Sequence, residues 1–266
     1  MPEFIETEFE SGVGRMILNR PDKRNALNRE MLAQICGAVE QFNSRKELRV
    51  LVVQAVGSVF CAGMDLAQMQ DRATNPNRDE AWHSDAESYH KVLLALLDCQ
   101  VPTIAAIPGA AIAGGVGLAL ACDIVIAADS SFFSLPEPRR GITAAMVTPL
   151  LLRRTSHARA AYVLLSGKRI PAEQALAIGL CDEVVPQSET EPALRAMLQS
   201  VLEGSPRALA TTKQFLGSLA NTDIRQALNR AVGISADARA SVDAREGLAA
   251  FLEKRRPAWA PEGHTP

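Results

Sequence analysis

The segment from Pro108 to Asp123 constrains this chain more than any other. Residues 103–107 are mostly apolar and partly β-branched, and Pro108-Gly109 stops them. Gly114, Gly115 and Gly117 then open the apolar run that ends at Cys122. This predicts a strand over 103–107, a Gly-rich turn, a helix over 114–121 and a further strand over 123–127. A helix that starts among glycines leaves its first N–H groups free, pointing at whatever sits in front of them. The whole stretch 101–122 is apolar, but Pro102, Pro108 and the glycines break it, so it is not a membrane span. Gly115-Val116-Gly117 is also reminiscent of a dinucleotide loop. Leu120 stands where that motif needs its third glycine, and the acidic residue expected about 20 positions on is missing.

Around this segment, strands alternate with helices. Residues 4–9 alternate, Ser11-Gly12-Val13-Gly14 is a turn, and 15–18 returns, which reads as a β-hairpin. Asn28 is placed to cap a helix with Met31, Leu32, Ile35, Val39 and Phe42 on one face. A short buried strand is expected over 50–54. An amphipathic helix is expected over 84–97, with Tyr89, Leu93, Leu96 and Leu97 turned inward. Alternation through about residue 150 argues an α/β fold. Beyond it, 156–178 and 191–254 read as helical, with Pro171 and Pro206 at helix starts. The stretch 223–256 is long and weakly amphipathic, a pattern that packs on its own core or on another subunit. The expected division is a core over 1–195 and a C-terminal helical region over 196–266.

The 266 residues suffice for one large core, and a hydrophobic content of 47% excludes a disordered chain. With 28 basic against 30 acidic residues, nothing global calls for nucleic acid or an anionic membrane as partner. An anionic ligand must be met locally, by Arg20, Lys23 and Arg24 or by Lys254, Arg255 and Arg256. The five cysteines are odd in number, widely spaced and free of CxxC pairs. Neither a disulfide framework nor a zinc site is indicated, and reduced thiols in a cytoplasmic protein are expected. Residues 1–10 are acidic and lack an apolar signal core, so no secretory signal is expected. His83, His90, His157 and His264 show no metal spacing, and no metal is expected. No G-x-S-x-G occurs, which argues against a common serine hydrolase.

Three stretches carry chemistry. Residues 18–28 put Lys23 and Arg24 in an exposed turn before a helix N-terminus, where a phosphate would find charge and N–H donors. Val59-Phe60-Cys61-Ala62-Gly63-Met64-Asp65-Leu66 bends after the strand at 50–54. The Gly-rich helix start is the third, and its free N–H groups suit a thioester oxygen that becomes an enolate. These stretches, with Phe132-Phe133-Ser134-Leu135-Pro136-Glu137, residues 167–185 and residues 247–257, come in an order and spacing that resemble the crotonase (enoyl-CoA hydratase/isomerase) superfamily.

The resemblance implies a ββα spiral core with a C-terminal helical trimerisation region, in trimers or hexamers. It implies an oxyanion hole from the backbone N–H groups of Met64 and Gly114. It places Lys23, Arg24 and Ala26 at coenzyme A, with Phe251 and Lys254 reaching the CoA of a neighbouring subunit. It makes Glu137 the catalytic acid–base group. A second glutamate used by many hydratases would fall at position 117, where this chain has Gly117. That is similar to one-glutamate hydratases of the methylglutaconyl type. The implied activity is enoyl-CoA hydration, with Δ3,Δ2-enoyl-CoA isomerisation and acyl-CoA binding without catalysis as alternatives. No cofactor is implied beyond the CoA of the substrate.

From the residues alone, Glu137 is open to two readings. Apolar neighbours would desolvate it and raise its pKa, whereas Arg139 and Arg140 could pair with it. His83 and His90 fall in the segment that overlies the acyl pocket in relatives, and either could touch substrate. Asp65 and Asp123 read as capping or structural residues.

Overall fold

Each turn of the central chain lays one strand in each of two sheets and then a helix against them. The protein is described by a computed structural model over residues 3–73, 78–220 and 222–261. It opens with an antiparallel hairpin, β1 (Ile5–Glu10) and β2 (Val13–Leu18), closed at Ser11 and Gly12 with φ of 50° and 83°. In α1 (Arg29–Asn43), the Asn28 side chain accepts a hydrogen bond from Met31 N at 2.8 Å, and all five expected apolar residues are buried.

The first turn is β3 (Val50–Ala55), β4 (Val59–Cys61), α2 (Leu66–Ala73) and α3 (Arg78–Leu97). The second is β5 (Thr103–Ile107), β6 (Ala110–Ile112) and α4 (Gly114–Ala121). The third is β7 (Ile124–Ala128), β8 (Phe132–Ser134), a 3-10 turn over Glu137–Arg140, and α5 (Thr148–Arg154). After α6 (His157–Ser166) come β9 (Arg169–Pro171), α7 (Ala172–Ile178) and β10 (Glu183–Val185). The last elements are α8 (Thr190–Glu203), α9 (Pro206–Gly217), α10 (Ile224–Ala240) and α11 (Val242–Leu252). The sheets run β1-β2-β3-β5-β7-β10 and β4-β6-β8-β9, with β3, β5 and β7 parallel in one and β4, β6 and β8 parallel in the other.

Several expectations are corrected. The helix expected over 84–97 begins at Arg78. The stretch 156–178 is not one helix. Gly167, at φ 55°, ends α6, and β9 pairs antiparallel with β8. The stretch 191–254 is divided among α8 to α11, and the 223–256 part breaks at Ser241, whose hydroxyl accepts from Ala244 N at 3.0 Å and starts α11. His264 lies outside the described residues.

The central strands are buried on both faces, as parallel strands covered by helices must be. Leu51, Val53, Ala105 and Ile107 enter the main core. Val50, Val52, Ile104 and Ala106 point the other way, against Leu194, Leu198 and Leu202 of α8. Full burial of such side chains contributes roughly 1.5–3 kcal/mol each. Residue 195, the expected division, therefore falls inside a helix that covers the sheet. Among the described residues, no helix is long and apolar enough to cross a membrane.

Candidate active site

The ends of β4 and β6 bring two loops together. Gly63 sits at φ 84°, and a Cβ there would lie 2.7 Å from Ala113 Cβ and 3.1 Å from Gly114 N. Only glycine suits both the left-handed backbone and that close approach. Leu27 N donates to Gly63 O at 2.8 Å, and Asp65 N donates to Leu27 O at 2.9 Å. This parallel bridge uses the groups on either side of Met64, so the Met64 N–H points away from Leu27.

Ala113 adopts φ 51°, ψ −122°, a sparsely populated region for a residue with a Cβ. Such a conformation costs of order 1–3 kcal/mol and persists where neighbours fix it. Here Ala113 N donates to Ser134 O at 2.8 Å, and Val116 N donates to Ala113 O at 2.9 Å. Gly114 then opens α4, where a helix has no carbonyl for its first N–H groups.

Met64, Gly114 and Glu137 line one cavity of about 320 Å³. Its walls are mostly apolar, with Leu66, Met69, Trp82, Ile142, Met146 and Val147 among them. Glu137 opens its 3-10 turn, which Gly141 closes at φ 68°. Glu137 Oε2 is buried with no hydrogen-bond partner among the described residues. Burial pushes the Glu137 pKa up, partly offset by its own backbone N–H and by the Arg140 charge. Arg140 lines the same cavity, while Arg139 donates to Ser166 O at 3.3 Å.

The helix α3 presents Trp82, Asp85, Ala86 and Tyr89 to the cavity. His83 and His90 are exposed on other faces, and His83 meets Glu87 at 3.2 Å. Neither histidine lines the pocket. The signal that finds the right face is the i, i+3, i+4, i+7 spacing from Trp82. Tyr89 reads from sequence only as an inward residue. In the structure its hydroxyl donates to Gly114 O at 2.6 Å, and a Cβ on Gly117 would lie 2.0 Å from the Tyr89 hydroxyl oxygen. The space beside Gly117 is therefore taken by the Tyr89 phenol.

Lys23 and Arg24 are exposed on a 3-10 turn beside the site rather than in the cavity. Their turn is stitched to the Met64 loop. Ala62 N donates to Arg24 O at 3.0 Å, and Arg20 donates to Ala26 O at 2.8 Å and to Asp65 Oδ2 at 2.7 Å. Asp65 Oδ1 also accepts from Ala67 N at 3.0 Å, capping α2. Burial works to raise the Asp65 carboxyl, but these hydrogen bonds and the Arg20 charge hold it below its ordinary range. Asn25 is fully buried and donates to Val56 O and Val59 O at 3.0 and 2.8 Å, a knot the sequence did not signal. Asp123 accepts from Thr103 N at 2.8 Å and pairs with Lys213 at 2.7 Å, a structural role. Phe251 and Lys254 are exposed at the end of α11 and do not line the cavity of their own chain. Among the described residues, no group of three or more His, Cys, Asp or Glu is placed to hold a metal ion.

The profile of the family described as enoyl-CoA hydratase/isomerase matches residues 8–262. The chain is 31% identical over 253 residues to enoyl-CoA hydratase domain-containing protein 3, mitochondrial, of Danio rerio, covering 95% of this chain and 86% of that one. It superposes on the crystal structure of an enoyl-CoA hydratase of Mycobacterium smegmatis with a TM-score of 0.91 at 30% identity, covering 98% of this chain and 100% of the other. An enoyl-CoA hydratase/isomerase structure from Marinobacter aquaeolei gives a TM-score of 0.90 at 27% identity, covering 97% and 99%.

Proposed function

Since this chain belongs to the enoyl-CoA hydratase/isomerase family, we propose that it hydrates a 2-enoyl-CoA thioester with Glu137 as its single acid–base group. The observation that carries this reading is the buried, unpartnered Glu137 Oε2 in the cavity that Met64 and Gly114 also line. The thioester oxygen accepts hydrogen bonds from the Met64 and Gly114 N–H groups. Glu137 takes a proton from water as the water oxygen bonds to Cβ. The double-bond electrons move onto the thioester oxygen, and the two amides stabilise that enolate. Glu137 then returns the proton to Cα.

One observation favours a second reading. With Tyr89 filling the space beside Gly117, a lone carboxylate suffices to lift a proton from one carbon and return it to another, as in Δ3,Δ2-isomerisation. A pure acyl-CoA binder is less well supported. Burying a carboxylate oxygen without a partner costs stability, and a binder has no use for that cost. The test is a panel of 2-enoyl- and 3-enoyl-CoA thioesters with products identified by mass. Conversion of 2-enoyl thioesters to hydrated products supports the hydratase. Double-bond migration alone supports the isomerase.

The Lys23–Arg24 turn, with Lys254 from a neighbouring subunit, is the proposed CoA phosphate site. Charge-assisted contacts of this kind weaken with salt. Replacing Lys23, Arg24 and Lys254 by alanine is expected to weaken CoA binding by on the order of ten- to a hundredfold. Calorimetry should also find the salt dependence flattened. Unchanged affinity would remove these residues from the site.

The C-terminal helices support assembly into trimers or hexamers. On α10, Ile224, Leu228 and Val232 share one face, and on α11 Phe251 and Leu252 are about four-fifths exposed. Sedimentation at micromolar concentration is expected to give three or six copies, and a monomer would contradict this. The five free thiols support the reducing cytoplasm as the compartment.

A further inference from the structure

We propose that the Tyr89 hydroxyl holds the nucleophilic water opposite Glu137, from the space that a side chain at position 117 would otherwise fill. The inference rests on the hydratase reading. Tyr89 is 5% exposed and lines the cavity with Glu137. Its proton is committed to Gly114 O at 2.6 Å, so the oxygen offers the cavity only lone pairs. Burial raises the phenol pKa well above its ordinary value, and the nearby Glu137 carboxylate adds to the rise. The phenol therefore keeps its proton and acts as an acceptor, never as the base.

A water that attacks Cβ loses one proton to Glu137. Its other hydrogen needs an acceptor, because an unmade hydrogen bond in an apolar cavity is costly. Asp85, the other carboxylate on the cavity wall, is engaged by Arg29 Nε at 2.5 Å. Tyr89 Oη fits the task. It stands 2.0 Å from where a Cβ on Gly117 would be, which explains why the chain needs glycine there. In the full step, the water O–H electrons form the new bond to Cβ, its proton goes to Glu137, and the π pair becomes the enolate. Glu137 protonates Cα, and Tyr89 retains its own hydrogen throughout. Tyr89 is thus a positioning residue for water, separate from the oxyanion amides.

The experiment compares two reactions in Tyr89→Phe. One is hydration of a 2-enoyl-CoA. The other is exchange of Cα hydrogen of butanoyl-CoA with heavy water, which uses Glu137 and the amides but no attacking water. Hydration kcat is expected to fall about tenfold or more, with KM and the exchange rate within about threefold. Gly117→Ala, which drives a methyl into Tyr89 Oη, is expected to give the same selective loss. Hydration within threefold of wild type overturns the assignment to Tyr89 while leaving the hydratase reading intact. So does an equal fall in both reactions, which would mark Tyr89 as a mere support for Gly114. A wild-type chain that exchanges Cα hydrogen but hydrates nothing overturns both readings.

Discussion

Glu137→Gln folds, binds CoA thioesters and loses turnover by at least about 10²–10⁴-fold, the range for a positioned acid–base group. The amide is nearly isosteric and cannot take a proton. Among the residues on the cavity wall, none is placed to replace it. Tyr89 holds its proton too tightly, and Asp85 is tied to Arg29. The pH dependence follows from the same burial. The base works when ionised, and burial raises its pKa. The acid limb of kcat/KM should therefore lie above the ordinary glutamate value of about 4.3. Stability has the opposite sign. The folded carboxyl holds its proton more tightly than the unfolded one, so that contribution is present below the unfolded pKa and is lost as pH rises through the folded pKa. At neutral pH the variant should melt no lower than wild type, and any advantage should shrink on acidification. Steady-state kinetics, calorimetry with CoA and melting at two pH values check each part. A folded, binding variant within a few-fold of wild-type turnover makes Glu137 structural.

Gly115→Ala is expected to destabilise the fold by about 3 kcal/mol or more, the upper range for forced overpacking. For a domain of this size that is on the order of 10 °C in Tm. The added Cβ would lie 2.3 Å from Cys61 O and 2.8 Å from Cys61 Cβ. Cys61 is buried at the end of β4, so neither side can yield cheaply. Relief requires moving β4 away from α4, and Met64 lies in the loop that leaves β4 while Gly114 opens α4. Turnover should fall with stability, because the two amides would no longer converge. Gly37→Ala is the control. It lies in α1 with nothing within 4 Å of a new Cβ, and should stabilise by about 0.5–1 kcal/mol through helix propensity. Thermal melts of both variants decide the matter. A Gly115→Ala protein as stable and active as wild type would mean that the β4–α4 contact does not set the site.

The parts of the fold that were legible in the sequence are those written in local signals. The Asn28 cap, the hairpin at Ser11-Gly12 and the glycines before α4 each fix a backbone feature within a few residues. β4, β6, β8 and β9 carry no readable sequence signal because each is three residues long and too short to show a period. Their existence depends on pairing with strands elsewhere in the chain. The helix over 84–97 extends back to Arg78, a start hard to place from sequence because Arg78, Asp79 and Glu80 are charged and only Trp82 begins the face that meets the cavity. At the site, Met64, Gly114 and Glu137 were readable from motifs, and the structure places all three on one cavity. Gly117 read as a missing acid, but the structure gives a steric reason for the glycine. Gly117→Glu alone has no room for its Cβ while Tyr89 stays in place. That coupling joins α3 to α4 across 28 positions of sequence, and no local pattern encodes it. Asn25 was invisible for the same reason, since its carbonyl partners follow it by more than 30 residues.

The most direct measurement is the product mass from a single 2-enoyl-CoA incubated with the wild-type protein in heavy-oxygen water. An enzyme that adds water to Cβ through Glu137 gives a 3-hydroxyacyl-CoA heavier by one labelled water, and Glu137→Gln gives back unchanged substrate. Recovery of that thioester at its starting mass from the folded wild-type protein, when the same protein shifts the double bond of a 3-enoyl-CoA, would contradict hydration as its reaction.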